Sequence, residues 1–471
     1  MSELPSTCVI GAGVSGLTAC KALGDYGLPH TCFEASDDVG GNWYFQNPNG
    51  LSSAYRSLHI DISKPSISFR DFPMPERYPD YPHHSHILEW LRDYTDAFAL
   101  RESIRFNTRV QRAERGPEGG WRIVLSPSAD GEAAAEQHFD ALLVCNGHHW
   151  NTRLPSFPGS FDGPHIHSHD YIDPSTPLDL YGKRVLVVGI GNSAVDIVSE
   201  LARKTVADTV FLSTRSGAYV VPKYIFGKPV DQVVKPNPLL PATLQRRLGS
   251  VLQRLVSGRM EDFGLPTPNH RFLDAHPTVS SELLGRLGAG DAVAKGDVAE
   301  LLGDRVRFAD GSVEQLDAII YATGYNVSFP FLDETLVSAP GNVLPLYKRM
   351  FKPGVDDLAF IGLGQPIPTI FPFSELQSKL AARWLHGEWA PPGAAEMEAE
   401  IPRDEAFHRG HFADRPRHTM QLDWYAFERD LKTRTIPAGE ARASAGAPSG
   451  RSLAGRAERL AALAGAQPLP A

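Results

Sequence analysis

Cysteine is scarce in this chain of 471 residues: there are four, Cys8, Cys20, Cys32 and Cys145, and none is spaced as Cys-x-x-Cys. A reductase of the thioredoxin-reductase kind relays electrons through such a pair, so that class is closed. Three of the four lie in segments that read as buried strand or helix, which makes them small apolar core residues. Long apolar runs are missing too. No uninterrupted stretch reaches the ~18 residues of a membrane span, and the opening Met1–Thr7 is polar where a leader would be basic and then apolar. Basic charge is in deficit: 46 Lys and Arg against 55 Asp and Glu give a formal net charge of -9, which argues against nucleic acid as a partner. The expectation is a soluble, cytoplasmic protein with no membrane partner. It is long enough for two or three domains and compatible with a homodimer.

What the chain does have is two glycine loops of one kind. In Arg184–Asp196, RVLVVGIGNSAVD, the all-apolar run Val185–Val188 suits a parallel strand covered on both faces. Gly189 and Gly191 then allow a tight turn and bring backbone N–H groups close to a pyrophosphate. Asn192 and Ser193 open a helix, and Ala194 keeps it close to the strand. The first loop, Gly11-Ala-Gly13-Val14-Ser15-Gly16, follows the apolar strand Thr7–Ile10. One such loop is weak evidence, but two in one chain suggest electron transfer between two bound dinucleotides.

The strand after each loop ends differently. Thr31–Phe33 ends in Glu34, eighteen residues beyond Gly16, where a carboxylate accepts hydrogen bonds from ribose hydroxyls. Thr209–Thr214 ends in Arg215, twenty-one residues beyond Ala194, and a guanidinium there suits a 2′-phosphate that an acid would repel. The second site is therefore expected to take NADPH. Gly40-Gly41-Asn42-Trp43 lets the backbone approach a ligand and sets an indole beside a ring system, although a tryptophan after a turn also serves as plain core.

Helical spacing marks Ile87–Phe98 and Ala242–Val256, and strands are expected at 104–110, 121–125, 139–145 and 317–325. Strands on either side of the second loop imply nesting. The expected fold is α/β with two Rossmann-like units, an outer one of residues 1–168 and 311–436 interrupted by an inner one of 169–310. The return of the chain would bring Gly324 and Gly362–Glu375, with Gln365, back to the first cofactor. Residues 437–471 read as a mobile tail. Alternation at His165, His167 and His169 could gather three imidazoles for a metal, but no metal is expected.

The segment Phe161-Asp-Gly163-Pro-His-Ile-His167-Ser-His-Asp-Tyr171 resembles the Phe-x-Gly-x-x-x-His-x-x-x-(Tyr/Phe) fingerprint of flavin-containing monooxygenases, and it stands just ahead of the second glycine loop as it does in that family. Gly40–Trp43, Gly189–Ser193, Ser213–Gly217 and Ala322–Tyr325 are similar to further family segments, in order, over about residues 7–389. A related Baeyer–Villiger signature closes near a Trp-Pro pair. Here Tyr171-Ile172 stands instead, so the chain resembles the group that oxygenates nitrogen and sulfur.

The resemblance implies FAD and NADPH as cofactors and molecular oxygen and a small amine or sulfide as substrates. It also implies a flavin C4a-hydroperoxide as the oxygenating species. His167 would position the domain junction rather than act as acid or base. One departure stands out. Family members commonly carry asparagine where this chain has Asp61, beside flavin and substrate, and an ionised carboxylate cannot donate the hydrogen bond that an amide can. Either Asp61 is held protonated in a dry site, which desolvation favours, or the adduct is supported differently; Asp61 is expected to lie beside the reaction and to tune the lifetime of the adduct. Two other readings stay open on the sequence: Baeyer–Villiger oxidation of ketones, and a flavin-binding redox sensor without turnover.

Overall fold

The computed structural model describes residues 4–117, 119–126, 135–235, 242–272, 274–275, 277–367, 369–411 and 420–445. Two five-stranded parallel sheets organise them. In the first, the order is Leu358–Phe360, Ala141–Val144, Thr7–Ile10, His30–Phe33, Ile104–Arg105. In the second it is His165–His167, Ala318–Tyr321, Arg184–Val188, Thr209–Ser213, Ala292–Lys295. In each, the strand that feeds the glycine loop is central and fully apolar on its inner positions, as a sheet covered on both faces demands. In each, the strand after the loop helix pairs in parallel on one side, Thr7 opposite His30 and Arg184 opposite Thr209.

Each sheet carries a smaller satellite. Val110–Arg115, Trp121–Leu125 and Glu136–Phe139 form an antiparallel meander beside the first sheet. Val298–Gly303, Arg305–Phe308 and Val313–Gln315 do the same for the second, with Gly159–Phe161 added in parallel.

Two expected strands are split. Asn107 adopts φ 52 and turns the chain between Arg105 and Val110, its N–H bonding Ser36 O at 2.8 Å. At Asp140 the chain passes from meander to parallel sheet, and the Asp140 carboxylate accepts from Ser6 N and Ser6 Oγ, both at 2.8 Å.

Strand pairing moves the boundaries drawn from sequence. His165–His167 and Ala318–Tyr321 lie outside 169–310, yet both belong to the inner sheet. On pairing, we propose that the inner unit takes in about 159–321 and the outer unit the flanking parts. The tail expectation is corrected as well. Ile436–Ser444 is helical, and Gly439 lies flush on Trp389: a Cβ there would stand 1.8 Å from the indole nitrogen. The rest of the expected tail, 446–471, is outside the described residues.

The outer unit is closed by a helix from far along the chain. Val14–Asp25, the helix of the first glycine loop, packs along Phe371–His386. Hydroxyls pair across that contact, Ser15 with Ser374 at 3.1 Å and Thr18 with Ser378 at 2.9 Å. All four cysteines are buried and free, as core residues should be.

Candidate functional site

The first loop is built for close approach. Gly41 turns back onto it, so that a Cβ at Gly41 would stand 3.0 Å from Gly13 Cα, and Gly40 N–H donates to Ala12 O at 3.1 Å. Trp43 is partly buried over the start of the helix Phe371–His386, its ring 6.0 Å from Phe371. Asn42 is engaged by the next loop, its Oδ1 accepting from Ser53 N at 2.9 Å. The Val14–Asp25 helix is capped by Gly13 with no side-chain cap, which leaves the first-turn N–H groups of Val14, Ser15 and Gly16 for an anion.

Glu34 follows its strand as expected, and it is buried at 5 % exposure. Its Oε2 accepts from Ala12 N at 2.7 Å, and its Oε1 from Ser36 N at 2.8 Å and Asn49 Nδ2 at 3.3 Å. A carboxylate has about four lone-pair sites, so room remains for a ribose hydroxyl. Burial raises its pKa while the two backbone N–H groups oppose the rise. The return segment packs on the first loop helix: a Cβ at Gly362 would stand 2.0 Å from Ser15 Oγ. Gln365 lies on the short strand Gln365–Ile367, paired with Gln421–Asp423.

The second loop repeats the scheme. Gly189, at φ 138, faces Ala322 O, which an added Cβ would approach to 2.3 Å. The helix Asn192–Leu201 is capped by Gly191, again without a side-chain cap, and Ala194 is fully buried against the sheet. Ser193 lies in its first turn, and Asn192 Oδ1 accepts from Val279 N at 3.1 Å. Thr278 Oγ1 donates to Ile190 O at 2.6 Å, so a distant segment also rests on this loop. Arg215 stands exposed beyond Ser213, the last residue of its strand.

The fingerprint runs along the edge of the inner sheet, where His165–His167 pairs with Ala318–Tyr321. The Phe161 ring covers Gly163, where a Cβ would clash at 2.7 Å. Tyr171 is buried and donates to Glu200 Oε2 at 3.0 Å. His167 and His169 both face the Tyr325 ring, at 5.2 and 6.0 Å between ring centres. Burial is the main cause that pushes the His167 pKa down to about 4, so its imidazole is neutral at pH 7. Gly324, with φ +84, precedes Tyr325 and its carbonyl accepts from Arg153 N at 3.0 Å. The three histidines do not gather a metal: among the described residues no cluster of three potential ligands exists.

Asp61 lies at the join between the two units. Lys223 of the inner unit places its Nζ 3.3 Å from Asp61 Oδ1, without the direction of a proper hydrogen bond. Tyr55 OH donates to Asp196 Oδ2 at 2.6 Å, and Ser57 Oγ to Glu200 Oε2 at 3.0 Å. Burial pushes the Asp61 pKa well up, the Asp196 carboxylate adds to the rise, and Lys223 opposes it. Asp196 is raised too, again chiefly by burial. Sequence reasoning reached Asp61 and missed Tyr55, Asp196, Glu200, Lys223 and Thr278. Apart from Asp196, which closes the second glycine-loop stretch, none sits in a motif, and they meet through the nesting of the two units.

These features fit two dinucleotides. Both loop helices present bare N-termini, and buried polar atoms lacking protein partners lie beside the first loop and at the join. They include Asn146 Oδ1, both ring nitrogens of His148, and His167 Nε2.

Residues 6–438 match the family described as FMO-like, flavin-binding monooxygenase-like. The chain is 39% identical over 437 residues to flavin-containing monooxygenase 5 of Cavia porcellus, covering 88% of this chain and 80% of that protein. It is 40% identical over 412 residues to dimethylaniline monooxygenase [N-oxide-forming] 2 of Rattus norvegicus, covering 83% and 75%. Among solved structures, S-allyl-L-cysteine S-oxygenase from Allium sativum superposes with TM-score 0.68 at 23% identity, covering 96% of this chain and 92% of that one. An oxidized steroid monooxygenase bound to NADP gives 0.67 at 19%, covering 93% and 98%. The last two establish the fold. No helix among the described residues is long and apolar enough to cross a membrane.

Proposed function

The chain belongs to the flavin-binding monooxygenase-like family, and from that premise we propose that it oxygenates a soft nitrogen or sulfur nucleophile. It is a monooxygenase with FAD and NADPH as cofactors. In the reaction, substrate, O2, NADPH and one proton give the substrate oxide, NADP⁺ and water. When bound, FAD supplies the redox chemistry that side chains lack, taking hydride from NADPH and activating oxygen.

The chain's own work is holding, orienting and drying. The amides of Gly13, Val14, Ser15 and Gly16 would hold the FAD pyrophosphate and Glu34 its ribose, while Gly11, whose N–H donates to Phe33 O at 2.9 Å, would shape the turn. Gly41, Asn42 and Trp43 would wall the pocket, with Gly324 and Gln365 on the returning chain. Gly189, Gly191, Asn192, Ser193 and Ala194 would hold the NADPH pyrophosphate, and exposed Arg215 its 2′-phosphate. Asp61, at the join, would face the reacting atoms and hold a proton there. Phe161, Gly163, His167 and Tyr171 would keep the two units in register.

The observation that supports this most is the pair of bare loop helices joined through Tyr55, Ser57 and Asp61. The relative named for forming N-oxides favours nitrogen or sulfur over ketone carbon. The test is product analysis on a panel of tertiary amines, thioethers and ketones, counting NADPH consumed. The expected result is one N- or S-oxide per NADPH. Esters from ketones with amines and thioethers untouched would overturn it, as would a yellow protein that consumes no NADPH in air. The proposal extends to a cytoplasmic location and, where copies associate, a homodimer. Recovery of the protein with the membrane fraction would overturn the location.

A further inference from the structure

The helix Asn192–Leu201 turns an acidic edge toward the outer unit. Asp196 and Glu200, one turn apart, take hydroxyls from Tyr55, Ser57 and Tyr171. Asp61 adds a third carboxylate from the outer side, and Lys223 is the cation placed against it. The lysine is well anchored. Its backbone N–H donates to Ser281 Oγ at 3.0 Å, and its carbonyl accepts from Val230 N at 2.9 Å and from Tyr81 OH. The ammonium lies 5.2 Å from the centre of the Tyr81 ring. An apolar stem held at its root, with the charged end crossing a domain boundary, is a way of delivering charge to a fixed point.

We propose that Lys223 is a positioning residue for the oxygenation site: carried by the inner unit, its ammonium sets where the Asp61 carboxyl points and whether that carboxyl holds a proton. The inference rests on the reading that Asp61 faces the reaction. Three carboxylates and one ammonium at a buried join carry excess negative charge, and burying it is costly unless a proton is retained. The groups that bear on Asp61 are few. Asp196 and, through it, Glu200 and Glu282 repel its negative charge, and Lys223 attracts it. Tyr55 stays protonated, held so by burial first and then by Asp196 and Asp61. His59, its pKa lowered chiefly by burial and further by His83 and Lys223, adds no charge at neutral pH. With the ammonium at 3.3 Å, Asp61 is drawn toward ionisation. Without the ammonium, in a join still closed, burial and Asp196 would hold the proton on Asp61 more tightly.

The test is a pH titration of the FAD-loaded enzyme by infrared difference spectroscopy. The C=O band of the protonated carboxyl is followed, and Asp61→Asn identifies which band is Asp61. An opposite charge at this range shifts a pKa by about 1 to 3 units. The Lys223→Met band should therefore titrate at least about one pH unit higher than in the parent. Lys223→Arg should restore the parent midpoint. Asp196→Asn removes a like charge and should move the midpoint the other way, which keeps the proposal open to failure even if Lys223→Met does not fold. Unmoved midpoints in these variants would overturn it. Peroxide released per NADPH consumed, measured across the same pH range, separates the two readings. If the band moves and the peroxide profile does not, positioning by Lys223 stands and the placing of Asp61 beside the reaction falls.

Discussion

The two nucleotide units share a plan and differ in how they grip. Both set a glycine-loop strand at the centre of five parallel strands and leave the following helix uncapped. In the outer unit the acid that ends the next strand is buried and laced to three donors. In the inner unit the matching residue, Arg215, stands in solvent. A buried acid knitted into its own loop suits a group that stays. An exposed guanidinium suits one that arrives and leaves at every turnover. On the roles proposed for Glu34 and Arg215, the residue at one strand end would set residence or exchange in the same fold.

The largest effect that could break this contrast comes from the loops themselves. Gly16→Val should abolish flavin binding, because its Cβ would fall 1.7 Å from Gly11 O. Gly189→Val should abolish NADPH-dependent flavin reduction while the protein stays yellow. Flavin absorbance and anaerobic reduction by NADPH read both. Loss of flavin in both variants would mean that the units do not act separately.

Next come the strand ends. Arg215→Gln should raise the KM for NADPH about tenfold to a hundredfold, the loss of a charge-assisted phosphate contact, and leave NADH almost untouched. Glu34→Gln should instead speed flavin loss on dialysis without altering the preference for NADPH. Steady-state kinetics with both nucleotides, and retained flavin absorbance, decide the point.

A smaller effect, shared by the two units, is acid sensitivity. His148, beside the outer loop, and His167, in the inner sheet, are both held neutral by burial, His148 well below its ordinary pKa and His167 at about 4. A histidine with a depressed folded pKa binds more protons when unfolded. Its contribution is therefore complete above the unfolded value of about 6.5 and drains away as pH falls toward the folded one. Thermal melts should drop between pH 6.5 and 4, and His167→Gln should soften that drop. An unchanged profile would remove His167 from the effect. The smallest effect belongs to the join: Tyr55→Phe should cost about 1 kcal/mol of stability, the worth of one hydrogen bond, read by urea melts at pH 7.

Local chemistry was legible in the sequence and the join was not. The strand–glycine–helix pattern, Glu34 and Arg215 each depend on neighbours within about one βαβ unit, so their places in the fold could be read off spacing. Asp61, Asp196 and Lys223 lie on three separate segments, and only the folding of one unit inside the other brings them together. The boundaries we propose from pairing differ from those read in the sequence for a related reason. His165–His167 was read as part of a fingerprint, while in the fold it is also an edge strand of the inner sheet. Residues 437–471 read as a mobile tail, yet at Gly439 only a residue without a Cβ fits, because Trp389 occupies the space beside it.

The hydroxyl pairs that join the Val14–Asp25 helix to Phe371–His386 have a consequence for synthesis. Chains emerge from the ribosome N-terminus first, and domains fold as units. The inner unit is one continuous stretch and can close as soon as the strand Ala318–Tyr321 has appeared. The outer unit must wait for Leu358–Phe360 and then for Ser374 and Ser378. Flavin loading would therefore wait until residues 374–378 have emerged, and a nascent chain stalled before residue 374 would hold the inner strands complete beside an open half-sheet.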